Sequence, residues 1–184
     1  MSTYTIPRPA AGDIVDLLMA DHRMLEELLR DMRDVSADRE AARAAFAQLL
    51  VAHSEAEETQ VYPRLKSRKV IDGEEEEHGE AEHAATNEAL LHLLQAKGTD
   101  TQKFEDALEA VAEVLNHHVG EEELSILNPA RTDASDELRE ELGKAWSSKR
   151  NELLDAGCGD IGQVDKLVEQ AYADGVLPND DQPE

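Results

Sequence analysis

A histidine and a glutamate interrupt an apolar stripe in the segment "HSEAEETQVYP", residues 53–63. The members of the stripe recur at the three- and four-residue spacing of a single helix face: Phe46, Leu50, His53, Glu57 and Val61. A lone carboxylate on such a face is very costly to bury unless a positive partner neutralises it. The stripe therefore predicts a helix that faces an interior, and an interior that holds a cationic partner for Glu57.

Similar apolar periodicity predicts four long helices joined by short connections, over about 13–35, 38–65, 74–96 and 101–127. Asp13 is placed to cap the first helix, and Gly98 follows the third. Pro63 is expected to bend the second helix, and Asn128-Pro129 to stop the fourth. Long helices with short connections favour an antiparallel four-helix bundle. The small aromatic content, 3%, also favours an all-α fold over a sheet.

The four helices are expected to occupy the middle of a longer arrangement. Residues 1–12 are predicted to be a flexible leader, 13–130 the bundle, 131–175 a C-terminal helical extension, and 176–184 a disordered acidic tail. The extension contains a helix over about 135–156 and a shorter segment over 161–173. Four apolar residues of the first of these are expected to pack on the outside of the bundle: Leu138, Leu142, Trp146 and Leu153.

Charge and composition narrow the class of protein. The formal net charge of −24 opposes binding to nucleic acid or to an anionic membrane, since both need a basic surface. No apolar run approaches about 18 residues, and the first residues show no signal-peptide pattern. Cys158 is the single cysteine, so no internal disulfide can form. We therefore expect a cytoplasmic protein, either a monomer or a homodimer.

Each predicted bundle helix places one histidine on its apolar stripe, and two of the helices add a glutamate. The six residues are His22, His53, Glu57, His83, His118 and Glu122. His–Glu pairs four residues apart arise easily by chance in a chain so rich in glutamate, so a metal-free bundle with hydrogen-bonded core histidines stays open. No lysine or arginine lies on these stripes, however, and imidazole with carboxylate suits Fe, Mn or Zn. Paired motifs on facing helices indicate a dinuclear site.

Two halves of the chain resemble each other around these residues. "HSEAEETQVYP" and "HHVGEEELSILNP" share the order histidine, glutamate, aliphatic residue and proline, and "DHRMLEELL" is loosely repeated as "EHAATNEALL". The two histidines of the first helix pair are 31 residues apart, and those of the second pair are 35 apart. This layout indicates an internal duplication of a helix pair.

These motifs resemble the hemerythrin-like family, the HHE cation-binding domains, over roughly residues 13–130. The stretch "EHGEAEHAATNEALL" is similar to the actinobacterial branch. The resemblance implies a four-helix bundle around a non-haem centre of two iron ions with an oxo or hydroxo bridge. It also implies a bridging role for Glu57 and Glu122, and terminal positions for His22, His53, His83 and His118.

The chain departs from the oxygen-carrying members of that family at Gly79, where they have a further histidine. The position is expected to be open to water or to be filled by His78, Glu82, His117 or Tyr62. Tyr62 lies about 180° from His53 on an ideal helix, and His117 points about 100° away from His118. The sequence leaves the choice among these donors open.

The resemblance suggests redox defence against peroxide or nitric oxide more than oxygen transport. The leading prediction is a di-iron protein that reacts with hydrogen peroxide, nitric oxide or dioxygen, with peroxidase- or catalase-like turnover. The alternative is an oxygen- or iron-binding sensor or buffer without turnover. Small diatomic or peroxide ligands are the partners that both readings expect.

Overall fold

The computed structural model describes residues 4–178, and within that range the chain forms eight α-helices, one π-helical turn and no strand. The elements are α1 (Ile14–Arg33), α2 (Arg39–Gln60), α3 (Tyr62–Ser67), α4 (Gly73–Gln95), α5 (Gln102–Glu122), the π-helical turn (Glu123–Leu127), α6 (Asn128–Asp133), α7 (Asp136–Asp155) and α8 (Ile161–Ala173). The predicted all-α helical bundle is confirmed. None of these helices is both long enough and apolar enough to span a bilayer.

Side-chain caps fix where the long helices begin. The Asp13 carboxylate accepts the Val15 N–H at 2.9 Å, at the start of α1, and Asp38 caps α2 in the same way. Asp72 and Glu75 form a capping box at the start of α4. Each cap satisfies backbone N–H groups that have no partner inside the helix. The four predicted long helices therefore begin within one or two residues of their expected positions.

Two predicted helix ends differ from the structure. The second helix is broken at Val61, where α2 ends and the short α3 begins, rather than bent at Pro63. The prediction that Asn128-Pro129 stops the fourth helix is wrong, because α6 starts there after the π-helical turn. Both prolines lie in the first turn of the new helix, where the missing N–H costs nothing.

Two apolar clusters form the core, and among the long bundle helices only α1 and α2 contribute residues to both. One cluster includes Leu25 of α1, Phe46 of α2 and Phe104 of α5. The other includes Leu18 of α1 and Ile126 of the π-helical turn. Along α1, His22 lies between residues of the two clusters, and along α2 His53 does so. His118 and Glu122 lie between Leu115 of the first cluster and Ile126 of the second. A buried polar layer is thus enclosed by apolar layers above and below.

The C-terminal helices pack against the bundle. Helix α7 lies against α1 and α2, and α8 lies against α4. Leu142 and Trp146 of α7 are completely buried, whereas Leu138 and Leu153 are partly buried. The domain boundaries and the flexibility of the leader stay predictions. Most of the predicted acidic tail lies outside the described residues.

Candidate metal centre

The six predicted ligand residues meet in the polar layer of the bundle. Helix α1 contributes one histidine, α2 a histidine and a glutamate, α4 one histidine, and α5 a histidine and a glutamate. None of the six is more than 2% exposed: His22, His53, Glu57, His83, His118 and Glu122. Inward-facing stripes from four separate helices therefore converge on one buried point, and whether the six bind metal stays a prediction.

The six side chains divide into two groups that share Glu57. We call His22, His53, Glu57 and Glu122 the first group, and Glu57, His83 and His118 the second group. Within each group the candidate ligand atoms lie within 4.8 Å of one another. These spacings fit one cation in each group.

Glu57 holds the middle position between the groups. Its Oε2 atom lies 3.2 Å from Nε2 of His53 and 3.4 Å from Nε2 of His83. Glu122 Oε2 is 3.1 Å from Nε2 of His22 and 4.0 Å from Nε2 of His118. Both carboxylates thus face histidines of both groups, which is the arrangement that a bridging carboxylate needs.

Several atoms of this layer have no hydrogen-bond partner although they are buried. They are both carboxylate oxygens of Glu57, Oε2 of Glu122, and Nε2 of His22 and His53. The close contacts among them do not have hydrogen-bond geometry. An unpaired buried polar atom costs about 1–3 kcal/mol, so a layer with five of them needs a compensating partner. A pair of cations would satisfy all five, and the residues therefore fit a dinuclear metal centre.

Four carboxylates orient the four histidines from behind. Each carboxylate accepts a hydrogen bond from Nδ1 of one imidazole: Asp21 from His53 (3.3 Å), Glu58 from His83 (2.7 Å), Glu82 from His118 (3.1 Å) and Glu123 from His22 (3.2 Å). With Nδ1 turned to a carboxylate, each Nε2 faces the centre, where those of His83 and His118 lie 3.1 Å apart. This is how metal-binding histidines are usually held.

These contacts form a ring around the bundle, and the acidic residues that make them occur at equivalent positions in the two halves of the predicted duplication. The carboxylate on α1 accepts from the histidine on α2, and the one on α2 accepts from the histidine on α4. The carboxylate on α4 accepts from the histidine on α5, and the one that follows α5 accepts from the histidine on α1. In each half, an acid directly precedes the first histidine, as Asp21 and Glu82 do. A second acid directly follows the inward glutamate, as Glu58 and Glu123 do. Sequence reasoning missed three of these carboxylates and considered Glu82 only as a direct donor.

Electrostatics in the metal-free layer indicate that it needs positive charge. Burial raises the pKa of Glu57, and the negative charge of Glu122 raises it further. Burial lowers the pKa of His53 to about 4. Burial also acts to lower the pKa of His83, but the adjacent carboxylates of Glu57 and Glu58 raise it to about 10. Without a cation, protons bound to the carboxyl and imidazole groups must therefore supply the positive charge that this layer needs.

Tyr62 reaches the centre, contrary to its predicted direction. Its hydroxyl donates to Oε1 of Glu122 at 3.0 Å and lies 3.4 Å from Nε2 of His83. The ring stacks on the His83 imidazole, with centroids 5.7 Å apart. The expectation that Tyr62 points away was based on an unbroken helix, and the break at Val61 invalidates it. Burial and the charge of Glu122 raise the pKa of the phenol well above its ordinary value.

Gly79 makes room for that ring. A Cβ atom at Gly79 would lie 3.0 Å from Cε2 of Tyr62, closer than side-chain carbons normally approach. Tyr62 thus fills the space beside the position where oxygen carriers have a further histidine. The other two candidate histidines, His78 and His117, lie at the surface with side chains 56% and 67% exposed.

This close approach predicts the effect of Gly79→Ala. Tyr62 is completely buried, so its ring has little room to move, and we expect a loss of about 1 kcal/mol in the free energy of unfolding. The matched control is Gly120→Ala in α5, where nothing lies within 4 Å of the added Cβ and a gain of about 0.5–1 kcal/mol is expected. Urea denaturation of the two variants measures the difference. Equal gains in both would contradict the packing of Tyr62 against Gly79.

The fold and the buried His/Glu layer define a helical-bundle protein with a candidate metal-binding site. The family model of the hemerythrin HHE cation-binding domain matches residues 13–130. The chain belongs to this family.

Among curated proteins, the chain is similar to a DNA nickase from Nostoc sp. (strain PCC 7120 / SAG 25.82 / UTEX 2576). The two are 25% identical over 144 residues, which cover 77% of this chain and 40% of the nickase. The chain thus spans well under half the length of this relative. No solved structure matches the chain.

Proposed function

We propose that the chain is a non-haem di-iron protein that reacts with hydrogen peroxide, nitric oxide or dioxygen, with peroxidase- or catalase-like turnover in redox defence. Membership of a cation-binding family supports a metal centre, and the two groups that share Glu57 support a pair of ions. A bound iron pair would supply Lewis acidity and one-electron redox chemistry to a small oxidant. Mixed imidazole and carboxylate donors suit iron.

The position of Tyr62 is the observation that carries the choice of redox defence. An imidazole donor is neutral, whereas a tyrosine that binds a metal does so as an anionic phenolate. An anionic oxygen donor favours the ferric over the ferrous state, and reversible oxygen carriage starts from ferrous iron. Tyr62, which lies 3.0 Å from Glu122 and beside Gly79, therefore supports oxidant turnover over oxygen transport.

The carboxylates, the histidines, Tyr62 and the apolar clusters would each have a separate role at such a centre. Glu57 and Glu122 would hold the two ions together and partly neutralise them, since each faces histidines of both groups. The four histidines would fill terminal positions, oriented through Nδ1. Tyr62 holds its proton toward Oε1 of Glu122 and would release it on binding a metal. The apolar clusters on both sides would exclude water from the centre.

The DNA-nicking activity named for the Nostoc relative is not part of this proposal. The chain covers 40% of that protein, and its own net charge of −24 opposes approach to a polyanion. No cluster of basic residues at the candidate site favours it.

The test is peroxide turnover by the iron-loaded protein. We expect repeated oxygen release after each addition of hydrogen peroxide, or sustained peroxide consumption when a reductant is present. A sensor or buffer would give one spectral change per iron pair and then stop. Absence of turnover with both oxidant and reductant would contradict the proposed activity while leaving the metal centre intact.

Tyr62→Phe is expected to remove a visible absorption band. A phenolate bound to ferric iron absorbs visible light by charge transfer from ligand to metal, and phenylalanine has no oxygen to bind. The matched control is Tyr4→Phe, since the Tyr4 hydroxyl contacts Asp31 and not the centre. If both variants keep the band, Tyr62 does not bind iron, and the argument for redox defence from this residue fails.

A further inference from the structure

Helix α7 reaches the candidate metal centre through one arginine. Arg150 is completely buried, and its Nε and Nη2 atoms donate to the two carboxylate oxygens of Asp21 at 2.6 and 2.7 Å. The same Oδ2 atom of Asp21 that accepts from Nε lies 3.3 Å from Nδ1 of His53. A chain of contacts therefore runs from α7 through α1 to a candidate ligand on α2.

A second residue of α7, Trp146, contacts His53 directly. The indole Nε1 of Trp146 donates to the backbone carbonyl of His53 at 3.4 Å. The two rings meet edge to face with centroids 5.8 Å apart, and the Arg150 guanidinium lies over the indole, 5.2 Å from its centroid. The backbone, the ring and the Nδ1 proton of His53 are thus all held by α7, directly or through Asp21.

The other three histidines lack such support within residues 4–178. Their carboxylates are Glu58, Glu82 and Glu123, and none of the ion pairs of these three includes an arginine or lysine. Asp21 is the one paired with a buried arginine. A guanidinium bound through two parallel hydrogen bonds fixes the plane of the carboxylate.

We propose that Arg150 is a positioning residue for His53, and that α7 thereby controls the ion of the first group and not the ion of the second. This inference rests on the proposed di-iron centre. It gives the C-terminal extension a role at the site: Arg150 sets how tightly one of two otherwise similar positions holds its iron. Arg150 itself touches neither ion position.

A purely structural ion pair would behave differently from a positioning residue. Loss of a buried arginine destabilises a fold wherever it lies, so stability alone does not distinguish the two roles. Arg39, the first residue of α2, is a matched control because it is also buried. Its guanidinium donates to Glu105 and to the Met32 carbonyl and lies over the ring of Phe104. Arg39→Met removes a buried arginine away from both groups.

The experiment uses the full chain loaded with iron-57, with Mössbauer spectra and the rate of iron release to a chelator. In Arg150→Met we expect one of the two iron signals to shift, and the corresponding ion to leave about 10–100-fold faster, the usual effect of losing such an outer partner. The second ion should leave at the wild-type rate. Arg150→Lys keeps the charge without the two-pronged contact and should lie in between. Arg39→Met should change neither signal.

If the Arg150→Met protein does not fold, Arg150→Lys carries the test alone. It should shift the same iron signal and speed the release of the same ion, while the second ion leaves at the wild-type rate. Equal acceleration of both ions, or wild-type rates and spectra in the Arg150 variants, would overturn the positioning role while leaving the di-iron centre standing. A wild-type chain without iron would overturn the proposed centre itself, and this inference with it.

Discussion

Glu57→Gln is expected to lower the iron content of the purified protein from about two ions per chain to near zero. Glutamine keeps the volume of the side chain but loses the charge and one of the two equivalent oxygens. Since Glu57 belongs to both groups, its loss removes a ligand from both ions. Metal analysis of protein from iron-replete cells measures the change.

The control for this variant is Glu55→Gln on the same helix. Glu55 lies in neither group, so the iron content should stay at the wild-type level. A Glu57→Gln protein that retains both ions would contradict the assignment of Glu57 as a ligand. Retention of one ion would show that Glu57 binds a single metal and would contradict its bridging role.

Removal of the metal is expected to destabilise the fold. A ligand that binds only the folded state at a concentration 1,000 times its dissociation constant contributes about 4 kcal/mol, so a chelator should lower the free energy of unfolding by about that amount for each ion. The structural cause is the layer of buried atoms without partners, above all the two oxygens of Glu57. Urea denaturation with and without chelator measures the loss.

The same measurement on Glu57→Gln separates metal loss from unspecific effects of the chelator. That variant is expected to hold no iron, so its unfolding curve should not respond to chelator. Its metal-free form should also be at least as stable as the metal-free wild type, because an amide is neutral without the proton that the buried carboxyl of Glu57 must take up. A wild-type curve that is unchanged by chelator would contradict a structural contribution from metal.

The helices and the convergence of the candidate ligands could be predicted because both follow from local spacing. Residues four positions apart share a helix face, so an inward histidine such as His53 places Glu57 inward as well. Burial of that carboxylate then requires a partner, whatever the rest of the chain does. The caps were predictable for a similar reason, since Asp13 acts on a backbone group two residues away.

Other features of the site depend on how distant segments meet. Arg150 and Asp21 are 129 positions apart, and no periodicity links them. The direction of Tyr62 depends on a break at Val61 that an ideal helix does not contain. The carboxylates behind the histidines did leave a signal in the sequence: each inward glutamate is followed directly by another, Glu58 in one half and Glu123 in the other.

The most direct test is metal analysis together with the visible spectrum of the full chain purified from iron-replete cells. We expect about two iron ions per chain and charge-transfer absorption from a bridged ferric pair. A colourless, iron-free protein that unfolds at the same urea concentration with and without chelator would contradict it, because the buried carboxylates of the polar layer would then be stable without a cation.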